Sequence, residues 1–134
     1  MKVFTDDWAK ALKNAINSNK NYKAAASWWE GDFLFVVTPS GNLKKEVKVF
    51  VGLYHGDCTD ARVLKAGETV KTEYTYAGDY ESWVKVLKQQ LDPIRGLLAG
   101  QFKLTGDMAK VLRATKAAQE LVVSTTLIKG AEFL

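Results

Sequence analysis

Four strand-like segments follow one another between residues 33 and 76, with turns but no helical pattern between them. The first, residues 33–38, is apolar throughout, which is typical of a strand that is covered on both faces. The other three are predicted at residues 46–51, 61–65 and 72–76. Because strands in direct succession pair mostly with antiparallel neighbours, these segments predict a largely antiparallel sheet.

Two helices are predicted before the strands. Thr5 is the expected N-cap of the first, whose apolar residues recur every three or four positions along one face. The second is predicted over residues 22–29 and ends in the pair Trp28-Trp29. Because adjacent helical residues point ~100° apart, we expect one tryptophan in the core and the other at a seam, an interface or the mouth of a ligand site.

The pattern after the strands predicts helix, helix, strand and helix. Asp79 and Asp92 are the expected N-caps of the two helices, and a proline follows Asp92 at the first helical position. Residues 102–105 predict a fifth strand, and one continuous amphipathic helix is expected from Met108. With no linker and no internal repeat, residues 1–134 are expected to form a single α+β domain.

Composition excludes several classes of function. A single cysteine, Cys58, and a single histidine, His55, exclude an internal disulfide and a multi-histidine metal centre, so no metal or cofactor is expected. The net charge of +4 is below that of a dedicated nucleic-acid binder, so no nucleic-acid partner is expected. The N-terminus has no apolar leader, and no stretch approaches the ~18–20 apolar residues of a membrane span, which predicts a cytoplasmic protein.

Catalytic patterns are scarce in the chain. His55 and Cys58 lie three residues apart in a predicted loop; this composition allows a thiol dyad but is typical of a chance pair on a surface. No nucleotide-binding or Gly-x-Ser-x-Gly loop occurs. We therefore expect no catalytic residue and a protein that is not an enzyme.

One continuous segment resembles the signature of the sterol carrier protein-2-like family of lipid-binding domains. The segment reads Leu91-Asp92-Pro93-Ile94-Arg95-Gly96-Leu97-Leu98-Ala99-Gly100-Gln101-Phe102-Lys103-Leu104-Thr105-Gly106-Asp107-Met108. It combines a proline-initiated short helix, a glycine at the helix end, a strand that alternates basic and apolar residues, and a Gly-Asp-Met turn into a last helix. The residues 29–33, Trp-Glu-Gly-Asp-Phe, resemble the approach to the first strand of that family.

This resemblance implies a five-stranded sheet covered by helices, with an apolar tunnel or cavity between them. It implies non-catalytic binding or transfer of a hydrophobic ligand, such as a fatty acyl, acyl-CoA, isoprenoid or sterol-like lipid. We expect an apolar space above ~300 Å³, the lower end for small-molecule pockets. The expected lining residues are Phe35, Phe50, Trp83, Leu98, Phe102, Leu104, Met108, Val111 and Leu112.

Three basic residues lie opposite the apolar side of the predicted last helix. Lys110, Arg113 and Lys116 are expected to point outward. Basic side chains on such a face are attracted to anionic lipid headgroups. The sequence therefore makes these residues candidates for transient docking on an anionic membrane.

Two other functions stay open on the sequence. One is a small cone-shaped α+β isomerase or hydratase, for which Tyr74, Tyr76 and Asp79 supply an acid and a base. The other is an interaction module that buries its apolar groove against another protein. The sequence specifies neither the lipid nor an oligomeric state.

Overall fold

The computed structural model describes every residue from Met1 to Leu134. The strands are β1 (Phe33–Thr38), β2 (Val47–Tyr54), β3 (Asp57–Val63), β4 (Tyr74–Asp79) and β5 (Phe102–Thr105). The helices are α1 (Asp6–Ser18), α2 (Lys20–Ala25), α3 (Tyr80–Leu87), α4 (Pro93–Leu98), α5 (Met108–Arg113) and α6 (Thr115–Thr125). The predicted α+β class with a five-stranded sheet is therefore confirmed.

The sheet has the strand order β3-β2-β1-β4-β5. β1 pairs antiparallel with β2 and parallel with β4, while β2–β3 and β4–β5 are antiparallel. The sheet is thus mixed but largely antiparallel, as predicted. Its one parallel pairing requires a long connection, because the chain must pass from the edge strand β3 across two strands to β4.

That connection, residues 64–73, runs over the face of the sheet that the helices leave free. Arg62 points to this face from β3 and donates to both carboxylate oxygens of Glu68, at 3.0 and 2.6 Å. Glu68 also accepts a hydrogen bond from the backbone N–H of Lys65 at 2.9 Å. These bonds favour the charged form and lower the pKa of Glu68 to about 2. The ion pair fastens the connection to the sheet.

The strand register gathers aromatic side chains on the opposite, helix-covered face. Phe35 of β1 lies beside Val49 of β2 and Tyr76 of β4. Phe33 pairs in the same way with Val51 and Tyr74. Because side chains alternate along a strand, this register points all of these residues towards the helices.

The predicted N-caps are found at the expected positions. Thr5 accepts a hydrogen bond from the N–H of Trp8, and Asp79 accepts one from Ser82. The Asp92 carboxylate accepts from two N–H groups of α4, each at 3.0 Å. These side chains satisfy N–H groups that have no partner within their own helices.

Several boundaries differ from the prediction: β2 continues to Tyr54 instead of ending at residue 51, and β4 begins at Tyr74 and ends at Asp79. α2 ends at Ala25 rather than reaching residue 29, and of the tryptophan pair Trp29 is buried while Trp28 is exposed. β3 begins at Asp57 because His55 and Gly56, with φ of 50° and 85°, form a tight turn after β2. Positive φ at both central residues gives the turn the twist that antiparallel strands require.

The single last helix expected from the sequence is wrong, because the chain bends between α5 and α6. Ala114 leaves helical geometry, and its N–H bonds to Val111 O, three residues back. The Thr115 hydroxyl donates to Leu112 O at 2.7 Å and so occupies a carbonyl that a helix would use. Side-chain bonds of this kind compete with the helical ladder and bend it.

A buried polar cluster ties the start of α2 to α6. Asn19 Oδ1 accepts from the N–H groups of Asn21 and Tyr22, which caps α2. Asn19 Nδ2 donates to Ser124 Oγ at 3.0 Å and to Glu120 Oε1 at 3.3 Å. Because all three side chains are buried, their polar atoms need partners within the protein, and Asn19 supplies a donor to each of the other two.

We expect Asn19→Ala to lower the free energy of unfolding by about 2–4 kcal/mol, since it removes a helix cap and leaves buried polar atoms unpaired. Urea denaturation of the variant and the parent protein measures the difference. Asn14→Ala, on the exposed side of α1, is the matched control and should change it by less than about 0.5 kcal/mol. Equal effects of the two substitutions would contradict a structural role for the cluster.

Candidate functional site

An apolar cavity of about 90 Å³ lies between the sheet and the helices. α1 and α3 supply large side chains on one part of its wall, and α4, α5 and α6 supply aliphatic side chains on another. The sheet forms its floor. The lining residues are Phe4, Trp8, Leu12, Ile16, Phe33, Phe35, Val49, Tyr76, Trp83, Val86, Leu87, Pro93, Ile94, Val111, Ala118, Leu121, Val122 and Thr125.

The polar tips of Tyr76 and Trp83 on this wall are bound to the backbone. Tyr76 donates its hydroxyl proton to Pro93 O at 2.6 Å, and Trp83 Nε1 donates to Val36 O at 3.0 Å. Burial raises the pKa of Tyr76, so its hydroxyl stays protonated at ordinary pH. Because these groups already have partners, the wall interacts with a ligand chiefly through hydrocarbon and aromatic surface.

A second apolar cavity of about 40 Å³ lies beside the first, towards Trp29 and Leu53. Four residues line both spaces and form a partition between them: Phe33, Val111, Ala118 and Leu121. Movement of these side chains would join the two cavities. The apolar interior is therefore divided by side chains and not by backbone.

The space is smaller than the ~300 Å³ expected from the sequence. Aromatic rings account for the difference, because they pack edge to face across the interior. The ring of Trp83 lies 5.4 Å from those of Phe35 and Tyr76, and 5.2 Å from that of Phe102. Such contacts fill the interior closely and leave a compact cavity.

Three of the nine predicted lining residues contact the cavity: Phe35, Trp83 and Val111. Phe102 lies behind the wall, with its ring stacked 4.7 Å from that of Tyr76. Phe50 pairs with Leu34 on the other face of the sheet. Phe50 therefore does not line the cavity, contrary to the prediction. Successive side chains of a strand point to opposite faces, so Phe50 points away from the cavity that its neighbour Val49 lines.

The other four predicted residues lie outside the cavity. Leu98, Met108 and Leu112 are exposed, and Leu104 is half-buried on the edge strand β5. The bend after α5 leaves Val111 as its only buried residue, so the neighbouring positions turn outward.

The sequence did not predict that α1 lines the cavity, although the apolar stripe of this helix is evident in the sequence. Trp8, Leu12 and Ile16 of that stripe line the cavity. Periodicity identifies a buried face but does not separate a core contact from a cavity wall.

The three basic residues predicted to point outward differ from one another. Lys110 is half-buried and folds back, so that its ammonium donates to Glu30 O and lies 4.7 Å from the ring centre of Trp29. Lys116 pairs with the buried Glu120 at 3.2 Å. Only Arg113 is exposed and without an ion pair. Lys110 therefore does not point outward as predicted, because its charge is attracted to a carbonyl and an aromatic face.

His55 and Cys58 do not form a dyad. His55 Nε2 lies 2.7 Å from Glu30 Oε2, while the Cys58 thiol donates to Asp60 O at 3.4 Å. Cys58 is buried, and burial raises the pKa of its thiol to about 11, so the thiolate is scarce at neutral pH. The pair therefore has a structural explanation: His55 in the turn and Cys58 in the core.

The residues that the sequence offered as acid and base of an isomerase also have structural roles. Asp79 caps α3 through its hydrogen bond with Ser82, and the Tyr76 hydroxyl is bound to the backbone. Tyr74 is buried in a stack with Phe33, 5.1 Å between ring centres. None of these groups is presented to the cavity as a proton donor or acceptor.

Two further features bear on the kind of site. No three or more histidine, cysteine, aspartate or glutamate side chains come together in a way that would hold a metal ion. None of the helices combines the length and the apolar character that crossing a membrane requires.

Fold and site together define a small α+β domain with helices on one face of its sheet and an apolar cavity between the layers. The model of the SCP-2 sterol transfer family matches residues 9–119, which is most of the chain. The protein therefore belongs to the SCP-2 sterol transfer family, and the resemblance noted in the sequence is confirmed. No match is found among curated proteins.

Solved structures agree with this assignment. A crystal structure of sterol carrier protein 2 is 31% identical, with a TM-score of 0.85 over 94% of this chain and 98% of that chain. A solution structure from Thermus thermophilus, of a conserved hypothetical protein described as a possible sterol carrier protein, is 31% identical, with a TM-score of 0.86 over 96% and 90%. A palmitated protein from Aedes aegypti shares the fold alone, at 13% identity and a TM-score of 0.54 over 81% and 92%.

We expect Lys110→Met to loosen α5, because it keeps the apolar stem but removes the charge that binds Glu30 O and the Trp29 ring. A loss of about 1–2 kcal/mol corresponds to roughly 5–30-fold faster amide hydrogen exchange in α5. Arg113→Met, on the same helix without an ion pair, is the control and should leave the exchange unchanged. If both variants exchange alike, Lys110 does not hold the helix.

Proposed function

We propose that the protein binds the apolar chain of a lipid in the cavity and releases it again without chemical change. The observation that carries this proposal is an internal space lined almost entirely by hydrocarbon, in which the polar tips of Tyr76 and Trp83 are bound to the backbone. Membership of the SCP-2 sterol transfer family supports lipid binding or transfer in general. The whole chain, residues 1–134, acts as the lipid-binding domain.

The ligand class that suits this wall is a flexible chain, fatty acyl or isoprenoid, in preference to a rigid sterol. A narrow space between aromatic rings admits a chain more readily than a fused ring system. The Aedes aegypti protein of the same fold is palmitated, which is consistent with an acyl chain. The polar head of the lipid stays outside the cavity, because burying it without partners costs free energy.

Binding requires the cavity to expand. Each methylene of the ligand that leaves water contributes ~0.8 kcal/mol, so ten or more offset the movement of several side chains. The partition residues Val111 and Leu121 are the ones that move, since they separate the two spaces. α5 is the wall that yields, because Val111 is its only buried side chain.

The basic residues take part at an anionic membrane. Arg113 supplies an unpaired charge at the surface, and Lys116 is exposed beside it on the next helix. Lys110 becomes available when α5 moves and its contact with Trp29 is released. We therefore keep Lys110, Arg113 and Lys116 as a docking patch whose full charge is reached in the open form.

A substitution that fills the cavity tests whether the ligand binds there. Ala118 lines both spaces, so we expect Ala118→Leu to abolish most binding of a fluorescent fatty acid while the protein still unfolds cooperatively. The matched control is Ala109→Leu, on the exposed side of α5, which should bind as the parent protein does. Fluorescence titration and thermal unfolding of the three proteins give the comparison.

Native mass spectrometry of freshly purified protein supplies a second measurement. Co-purified acyl or isoprenoid lipid is the expected result, and Ala118→Leu should lack it. Unchanged fatty-acid affinity in Ala118→Leu would show that the ligand does not occupy this cavity. A stable complex with another protein and no lipid would instead favour the interaction module.

A further inference from the structure

Lys110 of α5 is a half-buried cation without a carboxylate partner. Its ammonium donates to Glu30 O and lies 4.7 Å from the ring centre of Trp29 and 5.7 Å from that of Tyr74. An ammonium has three protons to donate and Glu30 O accepts one of them, so two have no acceptor within the protein. The surroundings of Lys110 therefore offer a positive charge and two donors to a group from outside.

Two acidic side chains belong to the segments that meet at Lys110, and both bind other groups. The carboxylate of Glu30 lies 2.7 Å from His55 Nε2, and the backbone carbonyl of Glu30 is what Lys110 binds. The carboxylate of Asp107 accepts a hydrogen bond from the backbone N–H of Lys110 at 3.1 Å and caps α5. No carboxylate of the protein forms an ion pair with the Lys110 ammonium.

Lys110 lies at the rim of the second, smaller cavity. Trp29, whose ring lies under the ammonium, lines that cavity and does not line the first. Val111 on α5 and Ala114 at its end line the second cavity too, one and four residues beyond Lys110. Because positions four apart lie on the same side of a helix, Lys110 belongs to the side of α5 that faces this cavity.

The hydrogen bond from Lys110 to Glu30 O joins two sides of the wall of the second cavity. Residues 29–31 form one side and are fixed to the end of β2, where Gly31 N–H donates to Leu53 O at 3.3 Å. Leu53 lines the second cavity as well. α5 forms the other side. An opening between these two sides would leave the ammonium at the mouth of the cavity.

A fatty acid has the two parts that this arrangement accommodates. Its chain is apolar and suits the cavities, whereas its carboxylate needs a cation and hydrogen-bond donors, because taking an unpaired charge out of water is costly. The Lys110 ammonium supplies both. Hydrogen bonds between two charged groups are roughly twice as strong as neutral ones, so a carboxylate is a better acceptor for this ammonium than the Glu30 carbonyl. A neutral alcohol of the same chain length gains no such bond.

We propose that Lys110 binds the carboxylate of a fatty acid at the mouth of the second cavity. The chain extends through the second cavity and past the partition residues into the first. On entry of the ligand, the ammonium exchanges the carbonyl of Glu30 for the carboxylate oxygens. This inference rests on the proposed function, because it identifies the ligand of the same cavity as a fatty acid in preference to a neutral lipid.

Two ligands with the same chain and different heads test the assignment. Dodecanoate and dodecanol are titrated against each protein by displacement of the neutral fluorophore N-phenylnaphthylamine. We expect Lys110→Met to bind dodecanoate roughly tenfold or more weakly than the parent protein, because a charge-assisted hydrogen bond is lost. The affinity for dodecanol should change by less than about twofold, since methionine keeps the apolar stem of the lysine.

Two further variants control for charge and for the integrity of the wall. Arg113→Met removes a charge from the same helix, at an exposed position, and should bind both ligands as the parent protein does. Lys110→Arg keeps a cation at the rim and should retain a preference for dodecanoate over dodecanol. A loosened α5 alone would weaken both ligands to the same extent, so the difference between the ligands reports the head group.

Carbon NMR of dodecanoate with an isotope-labelled carboxyl group measures the contact directly. A neighbouring cation favours the charged form of a carboxyl group and so lowers its pKa. The chemical shift of the bound carboxyl group should therefore titrate about one pH unit lower in the parent protein than in Lys110→Met. In Arg113→Met it should titrate as in the parent protein.

The outcomes separate this assignment from the proposed function. If the parent protein binds both ligands and Lys110→Met weakens both equally, the role of Lys110 is overturned and the cavity stays the ligand site. An unchanged titration of the bound carboxyl group in Lys110→Met would overturn that role as well. Binding of neither ligand by the parent protein would reject the proposed function itself, and this assignment with it.

Discussion

The register of the central strand β1 is the constraint on which the rest of the structure depends. β1 pairs with β2 on one side and with β4 on the other, which places Phe35 between Val49 and Tyr76. A slip of one residue would turn Phe33 and Phe35 to the opposite face and leave the helices without an apolar floor. The parallel pairing with β4 has a second consequence. It sends residues 64–73 across one face of the sheet, and α1, α3, α4, α5 and α6 enclose the cavity on the other face.

Local signals were sufficient for much of the fold. Each predicted N-cap, such as Asp92, needs only a side-chain oxygen and the N–H groups of the next few residues, and neighbouring positions in the sequence supply both. The bend at Ala114 could not be predicted from the sequence, because it depends on whether the Thr115 hydroxyl binds solvent or the Leu112 carbonyl. The wall of the cavity was only partly predictable for a related reason. Val111 and Leu112 are equally apolar neighbours, and their separation into inside and outside follows from the orientation of a six-residue helix.

An interior lined almost entirely by hydrocarbon selects its ligand chiefly by shape and volume. A hydrogen-bonding site rejects ligands that leave its buried groups unpaired, whereas a hydrocarbon wall has no such means of discrimination. The Trp83 and Tyr76 tips are bound to the backbone, so their rings act as fixed surfaces that set the width of the space. Adaptability is left to aliphatic residues such as Leu121, which divide the two cavities. For the lipid chain that we propose as ligand, such an interior favours a range of chain lengths over a single lipid.

Exchange of a buried ligand requires one wall that opens at a lower free energy than global unfolding. The walls of this cavity are unequal in that respect. α1 buries five side chains, including Trp8, whereas α5 buries Val111 alone and depends on the contact of Lys110 with Glu30 and Trp29. The weakest wall also carries exposed Met108 and Leu112, with unpaired Arg113 on the same helix. In the docking that we propose, a membrane that attracts these side chains stabilises α5 in a displaced position, because apolar residues leave water and the ammonium of Lys110 gains anionic partners in place of a carbonyl. Under this proposal, opening and docking are one equilibrium, and the bilayer that receives the lipid shifts it.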